Sequence, residues 1–373
     1  MIFECKFKNL PSHGLTCVRT NGCLAPHRLR GILPHEIQVL SHLESLSIQY
    51  NKAVGGVLGD ATGLRKLTNL QHLHLQQCSF AGIIPGWIGE LTLLTSLGLG
   101  NNRLSGSIPS TIQQLIHLQT LGLDNNMLDA NLDIFGALTN LRVLYLNDNM
   151  IGGTLSSALL SNWSNLHELD LSENFISSTL PHNLFSHPAL QVLDIHSNRL
   201  TGQIPEAQQP NDQLRFLALY ENELSWMLPV SLPSLKSLEY FDISRNNLVG
   251  TWPDTMGDMI QLEYLLIGQN AWNRARMPSF FAQLTQLLEL SLKDSQLTGL
   301  IPTEIGYLTM LNALDLSENE LTGTFPSAIG FLSHLNTFSV QRNQISGSLP
   351  KELIHLTGLG ESVVAVVVMS LKV

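Results

Sequence analysis

Leu94–Pro109 reads LTSLGLGNNRLSGSIP, and Leu190–Pro205 reads LQVLDIHSNRLTGQIP. The phrase returns from Leu311 as LNALDLSENELTGTFP and from Leu335 as LNTFSVQRNQISGSLP. Aligned, these stretches give the template LxxLxLxxNxLxGxIP. Its Asn column runs through Asn51, Cys78, Asn102, Asn126, Asn149, Asn174, Asn198, Asn222, Asn246, Asn270, Ser295, Asn319 and Asn343. That is about 13 repeats with a mean period of about 24 residues, the mark of a stacked repeat protein.

Each part of the phrase has a mechanical reason. In LxLxx, leucine alternates with variable residues at period two, which reads as a short, half-buried strand. One such unit cannot bury its apolar side alone, so neighbours must stack into a leucine ladder. The Asn stands where the chain turns out of the strand, and its amide is expected to bond backbone groups of adjacent turns. Cys78 is expected to substitute for Asn there. The Gly of GxIP permits backbone angles that other residues resist, and the Pro fixes φ and ends strand-like pairing. A short polar or helical stretch then returns the chain, as in PSTIQQLIHL from Pro109.

Composition agrees. Of 373 residues 72 are leucine, 44% are hydrophobic and only 13% are charged, which excludes a disordered chain. No stretch approaches the roughly 20 apolar residues of a bilayer span. A net charge of −10 argues against nucleic acid as a partner.

The LxGxIP half of the phrase stands nearly complete at Leu104–Pro109, Leu200–Pro205, Leu297–Pro302, Leu321–Pro326 and Ile345–Pro350. On those residues the chain resembles the plant-type leucine-rich repeat family over roughly residues 25–358. The resemblance implies an α/β fold, a right-handed solenoid with a parallel sheet lining a concave face. It also implies a likeness to the ectodomains of receptor-like proteins and receptor-like kinases. The expected organisation is a degenerate amino-terminal cap and partial first repeat over 1–42, a single solenoid over 43–358, and a divergent tail or last strand over 359–373.

Several segments depart from the pattern. The run VGGVLGDATG from Val54 reads as a small loop insertion. The tenth repeat, NAWNRARMPSFF from Asn270, lacks LxGxIP, and Arg274 and Arg276 predict a basic bump, either a bulged loop or a partner contact. Trp252 and Trp272 replace apolar template residues and are expected in the core. Trp226 falls at the Gly position and is expected to be exposed. GLTC from Gly14 resembles the end of a Cys-capped entry segment; Cys5, Cys17 and Cys23 could form one bridge but match no zinc pattern. Lysines interrupt residues 1–15, so no signal-peptide core is found there. The chain then reads either as intracellular or as lacking its true amino terminus. GESVVAVVVMSLKV ends without an Asn, and Val363–Val368 reads as a last strand or as the remnant of an anchor.

The search for chemistry points away from an enzyme. There is no P-loop, GxSxG elbow, HExxH or kinase signature, and no cofactor is expected. His72 and His74 share a strand face, but no strong third metal ligand accompanies them. Asn162-Trp163-Ser164 is an N-glycosylation sequon on the return side.

Function must then be written in the variable strand positions. In repeats 1–4 these are small or polar: Ser45, Ser47, His74, Ser96, Gly98, Thr120 and Gly122. In repeats 5–10 they become aromatic, apolar and acidic. Tyr145, Glu168, Asp170, Val192, Asp194, His196, Phe216, Tyr220, Tyr240, Asp242 and Tyr264 form the candidate ligand-binding face, with Val143, Leu266 and Ser244 beside them. Phe216, Tyr240 and Tyr264 occupy one column in successive repeats and are expected to stack. Aromatics rimmed by carboxylates suit a protein or peptide contact, although cross-strand aromatic pairs also stabilise sheets without any ligand. Three readings follow. One is a recognition module of the receptor-like type for a protein, peptide or glycan, with a co-receptor where the chain is part of a receptor. The second is a secreted inhibitor of cell-wall polysaccharide hydrolases. The third is an intracellular scaffold. Family resemblance places the first two outside the cell or at its surface.

Overall fold

The computed structural model describes residues 5–6, 16–17, 29–348 and 350–356. Cys23, the side chains of Cys5 and Cys17, and the tail 359–373 lie outside the described residues. So the question of a bridge among these cysteines, the cap over most of 1–42 and the nature of Val363–Val368 lie outside them too. The chain divides into two compact units. One holds Met1–Ser178 with His187–Leu190; the other holds Thr179–Ser186 with Gln191–Val373.

In the first unit, the template's LxL segments form parallel strands at Ser45–Ser47, His72–His74, Ser96–Gly98, Thr120–Gly122, Val143–Tyr145 and Glu168–Asp170. In the second they form strands at Val192–Asp194, Phe216–Ala218, Tyr240–Asp242, Tyr264–Leu266, Glu289–Ser291, Ala313–Asp315 and Thr337–Ser339. The register places the middle residue of each strand on its neighbour's, as in Leu217, Phe241, Leu265, Leu290 and Leu314. Those five are fully buried. Removing a leucine side chain from water is worth about 1.5–3 kcal/mol, so the ladder is the main source of cohesion. The flanking residues of each strand point to the opposite side and build the strand face.

The GxIP half does more than turn. Its L-x-G residues form second parallel strands, a six-stranded sheet from Gly31–Ile32 to Met150–Gly152 in the first unit. In the second unit there are two four-stranded sheets, one ending at Ala271–Trp272 and the next starting at Ala275–Arg276. The tenth repeat is where the second sheet breaks. Glycines on these strands carry positive φ, for example +78° at Gly202 and +77° at Gly323. Trp226 takes the glycine's place at φ +77° and stands exposed.

The return segments are short 3-10 turns rather than α-helices. The α-helix of the described residues is Ser157–Asn162. Proline precedes many of these turns, as Pro109 does Ser110–Gln114 and Pro302 does Thr303–Tyr307. Turns of five residues after a fixed proline are too short for a stable α-helix. VGGVLGDATG is not a loop insertion: it supplies the strand Val54–Val57 and an extra 3-10 turn at Leu58–Asp60.

The Asn column makes the bonds expected of it. The Asn222 amide donates to Ile195 O one repeat earlier at 3.0 Å, and to Leu219 O and Tyr220 O in its own turn at 3.1 and 3.2 Å. Its oxygen accepts from Leu200 N at 2.9 Å. Cys78 partly copies this with its thiol, which donates to Ile48 O at 3.3 Å. The residue before each column position is left-handed, from +47° at Asp294 to +62° at Tyr50. A non-glycine there costs about 1–2 kcal/mol, which the amide's bonds offset.

Candidate ligand-binding face

In the second unit the residues picked out by their period come together. Phe216, Tyr240 and Tyr264 are register partners. Phe216 and Tyr240 stack at 4.2 Å between centroids and 11° between planes, and Tyr240 meets Tyr264 at 5.6 Å and 38°. All three are half-buried, as cross-strand partners on an open sheet should be. A second stack stands in another column, two residues before the Asn: His196 lies on Tyr220 at 4.2 Å and 9°. His196 Nδ1 also meets Asp194 Oδ1 at 2.5 Å. Ala218, on the strand of Phe216 and in register with Asp194 and Asp242, is fully buried.

Asp242 is 5% exposed. One of its oxygens accepts from Ser244 N at 2.9 Å and Ser244 Oγ at 2.7 Å, and the Tyr240 hydroxyl approaches the other at 3.5 Å. Burial pushes the Asp242 carboxyl above its usual range, and these hydrogen bonds only partly offset that. Burial, then the charge of Asp242, pushes the Tyr240 phenol up. Glu289 stands next to Tyr264 in the same column. Its carboxyl is raised by burial and then by the charges of Asp242 and Asp315. Glu289 shares this strand position with Glu168, but it falls in the eleventh repeat, beyond the repeats 5–10 whose change of character picked out the candidate face.

In the first unit, Tyr145, Glu168 and Asp170 form a group of their own. The Tyr145 hydroxyl donates to Glu168 Oε2. Its phenol is pushed up by burial first, then by that bond and by the Glu168 and Asp170 charges. Asp170 Oδ1 accepts from Ser172 N and Oγ at 3.0 and 2.7 Å. The small residues of repeats 1–4 also have a reason: a Cβ on Gly98 would meet Gln76 Nε2 at 1.9 Å, so the Gln76 side chain lies across that strand. His74 Nε2 meets Ser96 Oγ at 2.8 Å, and burial lowers the His74 imidazole. Among the described residues no three His, Cys, Asp or Glu are placed to hold a metal ion.

Outside the face, Trp252 and Trp272 are buried and meet edge to face at 5.8 Å. The expected basic bump is not a bare one: Arg274 pairs with Glu320, and the Arg276 chain packs by Gly299. Asn162 ends the α-helix on the return side, exposed, while Trp163 beside it is fully buried.

Strand ladder, Asn column and second strand together define a leucine-rich repeat solenoid. Residues 68–128 match a leucine rich repeat family model, and residues 140–162, 165–187, 189–209, 237–259 and 310–332 match another of the same description. The chain belongs to the leucine-rich repeat family and is similar to plant receptor-like ectodomains. It is 29% identical over 201 residues to receptor-like protein 39 of Arabidopsis thaliana, across 52% of this chain and 20% of that protein. Over 203 residues it is 28% identical to Arabidopsis receptor-like protein 41, across 52% of this chain and 20% of the relative. The chain thus spans about a fifth of the length of these two relatives. Among solved structures it is similar to PEPR1 in its complex with AtPEP1, with a TM-score of 0.79 at 29% identity over 87% of this chain and 45% of that one. It also resembles the Arabidopsis receptor kinase HAESA in complex with the peptide hormone IDA and the co-receptor SERK1. There the TM-score is 0.72 at 28% identity, over 88% of this chain and 62% of that one. Among the described residues no helix is long and apolar enough to cross a membrane.

Proposed function

We propose that the chain is a non-catalytic recognition module of a plant receptor-like protein, working outside the cell or at its surface, and that it binds a peptide or protein segment on its strand face. The observation that carries this is the half-exposed column Phe216–Tyr240–Tyr264 beside Asp242. Aromatic rings bring large contact area at small entropy cost, and the carboxylates orient what binds. Val192, Asp194, His196 and Tyr220 extend the same surface, and Tyr145, Glu168 and Asp170 give the first unit an acidic group of similar make. The solved relatives support the reading, because PEPR1 was crystallised with AtPEP1 and HAESA in complex with the peptide hormone IDA. The HAESA complex also contains a co-receptor, so a co-receptor is a natural second partner here.

The test is panning of a phage-displayed random dodecapeptide library on the purified chain. Phe216→Ala combined with Tyr240→Ala is expected to weaken the recovered peptides at least tenfold. The stacked pair is worth about 0.5–1.5 kcal/mol beyond its area, so the melting temperature should drop by only a few degrees. Recovery of no peptide, or binding unchanged in the double variant, overturns this reading.

A further inference from the structure

We propose that the strand face at Tyr264 and Leu266 receives an arginine side chain of the bound peptide, a proposal that rests on the peptide-reading function above. The floor of this place is apolar and half-exposed: Tyr264 and Leu266 flank the buried Leu265 on one strand. Tyr240 and Asp242 stand on the strand to one side, Glu289 and Ser291 on the strand to the other. Two strand spacings and a two-residue step along the strand separate Asp242 from Glu289, about 12 Å between backbones. That leaves room for one flat group over the floor, between the two carboxylates. Asp315 lies one strand further, in the column of Asp242 and Ser291.

The charge on this face is unbalanced. In the second unit two side chains that can carry positive charge face the same way, and both are engaged: His196 pairs with Asp194, and Lys293 with Glu318 at 3.3 Å. Among the described residues the arginines Arg215, Arg245, Arg274 and Arg342 pair with Glu239, Glu221, Glu320 and Glu318. Asp242, Glu289 and Asp315 have no ion-pair partner among the described residues. Burial raises both carboxyls, and the charges of Asp242 and Asp315 raise Glu289 further. A cation arriving between them favours the charged form of each.

The chemistry selects arginine. No three metal-type ligands converge among the described residues, and an apolar floor does not suit a hydrated ion. A guanidinium is flat, weakly hydrated and able to lie on a Tyr ring while its edge donates to carboxylates. Lysine brings a compact, strongly hydrated charge that uses the floor poorly. Glu289 meets the guanidinium directly, and Asp242, almost covered, acts through its charge.

The experiment uses the same dodecapeptide library and then synthetic copies of the best binder, with each basic residue in turn replaced by lysine, citrulline or glutamate. Binders are expected to share an arginine whose change to citrulline costs tenfold or more and whose change to lysine costs less. Glu289→Gln and Glu289→Lys should weaken the arginine peptide progressively with little change in melting temperature. The glutamate peptide should recover affinity on Glu289→Lys. Raising salt from 50 to 500 mM should weaken the arginine peptide. Binders that lack a shared basic residue, yet are lost with Phe216→Ala and Tyr240→Ala, overturn this inference and leave the peptide-reading function standing. Arginine binders indifferent to Glu289→Lys overturn it as well. Recovery of no binder overturns both.

Discussion

Repeats eight and nine and repeats ten and eleven solve the same problem with different residues. In the regular pair, Asn246 reaches back to Leu219 O at 3.0 Å and also holds Ile243 O and Ser244 O in its own turn at 3.2 Å each. Its oxygen accepts from Leu224 N at 3.0 Å. In the irregular pair, Ser295 stands in the column, and its hydroxyl reaches Lys293 O at 3.3 Å in its own turn. The carbonyl one repeat earlier that an asparagine would have taken is Ile267 O. The Trp272 indole N–H takes it instead, at 2.8 Å. What the repeat conserves is a donor on that carbonyl, not a residue type. The largest effect should come from breaking the regular arrangement. Asn246→Ala removes every donor it supplies and leaves Leu224 N without its acceptor, at a cost of about 3–5 kcal/mol. Guanidinium unfolding checks this through the midpoint. A loss under about 1 kcal/mol would show that the column is not what joins the turns.

The irregular pair gives a sharper test, because its two substitutions should depend on each other. Trp272→Leu opens space in the core and strips Ile267 O of a donor, for about 2–4 kcal/mol. Ser295→Asn in the unaltered chain should do little, since the indole already holds the carbonyl. Added to Trp272→Leu, the same asparagine should recover about 1 kcal/mol by restoring the standard bond. Strict additivity in the double-mutant cycle would refute the repair. The break in the second sheet between Ala271–Trp272 and Ala275–Arg276 belongs to the same irregularity, since NAWNRAR lacks the L-x-G that extends that sheet elsewhere.

These particulars show what could be read in advance. Leu217, Asn222 and Tyr240 were legible because a strict period fixes both face and register, so a column in the alignment is a column in space. The Phe216–Tyr240–Tyr264 contacts follow from that alone. The second sheet was missed because L-x-G followed by I-P reads locally as a turn, and only the parallel neighbour makes it a strand. The 3-10 returns were missed because a five-residue apolar pattern does not separate one helix type from another. The His196–Tyr220 stack joins like positions of successive repeats, two before Asn198 and Asn222, and follows from the same period. The Trp272 repair was out of reach for a different reason: it depends on where a long side chain lands, on Ile267 O five residues back.

A smaller effect concerns a return-side position where histidine and asparagine exchange. Asn211 accepts from Gln213 N and Leu214 N at 2.8 and 2.9 Å, and its amide donates to Phe185 O at 2.9 Å. His187, 24 residues earlier, repeats this pattern with its ring. Nδ1 accepts from Ala189 N and Leu190 N at 3.3 and 3.1 Å, and Nε2 faces Trp163 O at 3.1 Å. With Nδ1 accepting, Nε2 must carry the proton, and the ring fits only when neutral. Burial lowers this imidazole from the ordinary 6.5. The unfolded chain therefore binds the proton first as pH falls, so stability is fully present above about pH 6.5 and is lost as pH drops toward the folded value. His187→Asn should keep all three bonds and change stability by less than about 1 kcal/mol at pH 7.5. It should also flatten the decline below pH 6.5. Because burial lowers His74 too, part of the slope should remain, and His74→Gln in the same background should remove most of that remainder. Melting temperatures from pH 5 to 8 decide it. A profile for His187→Asn that overlays the unaltered chain would mean that the ring is not held neutral by those two backbone donors.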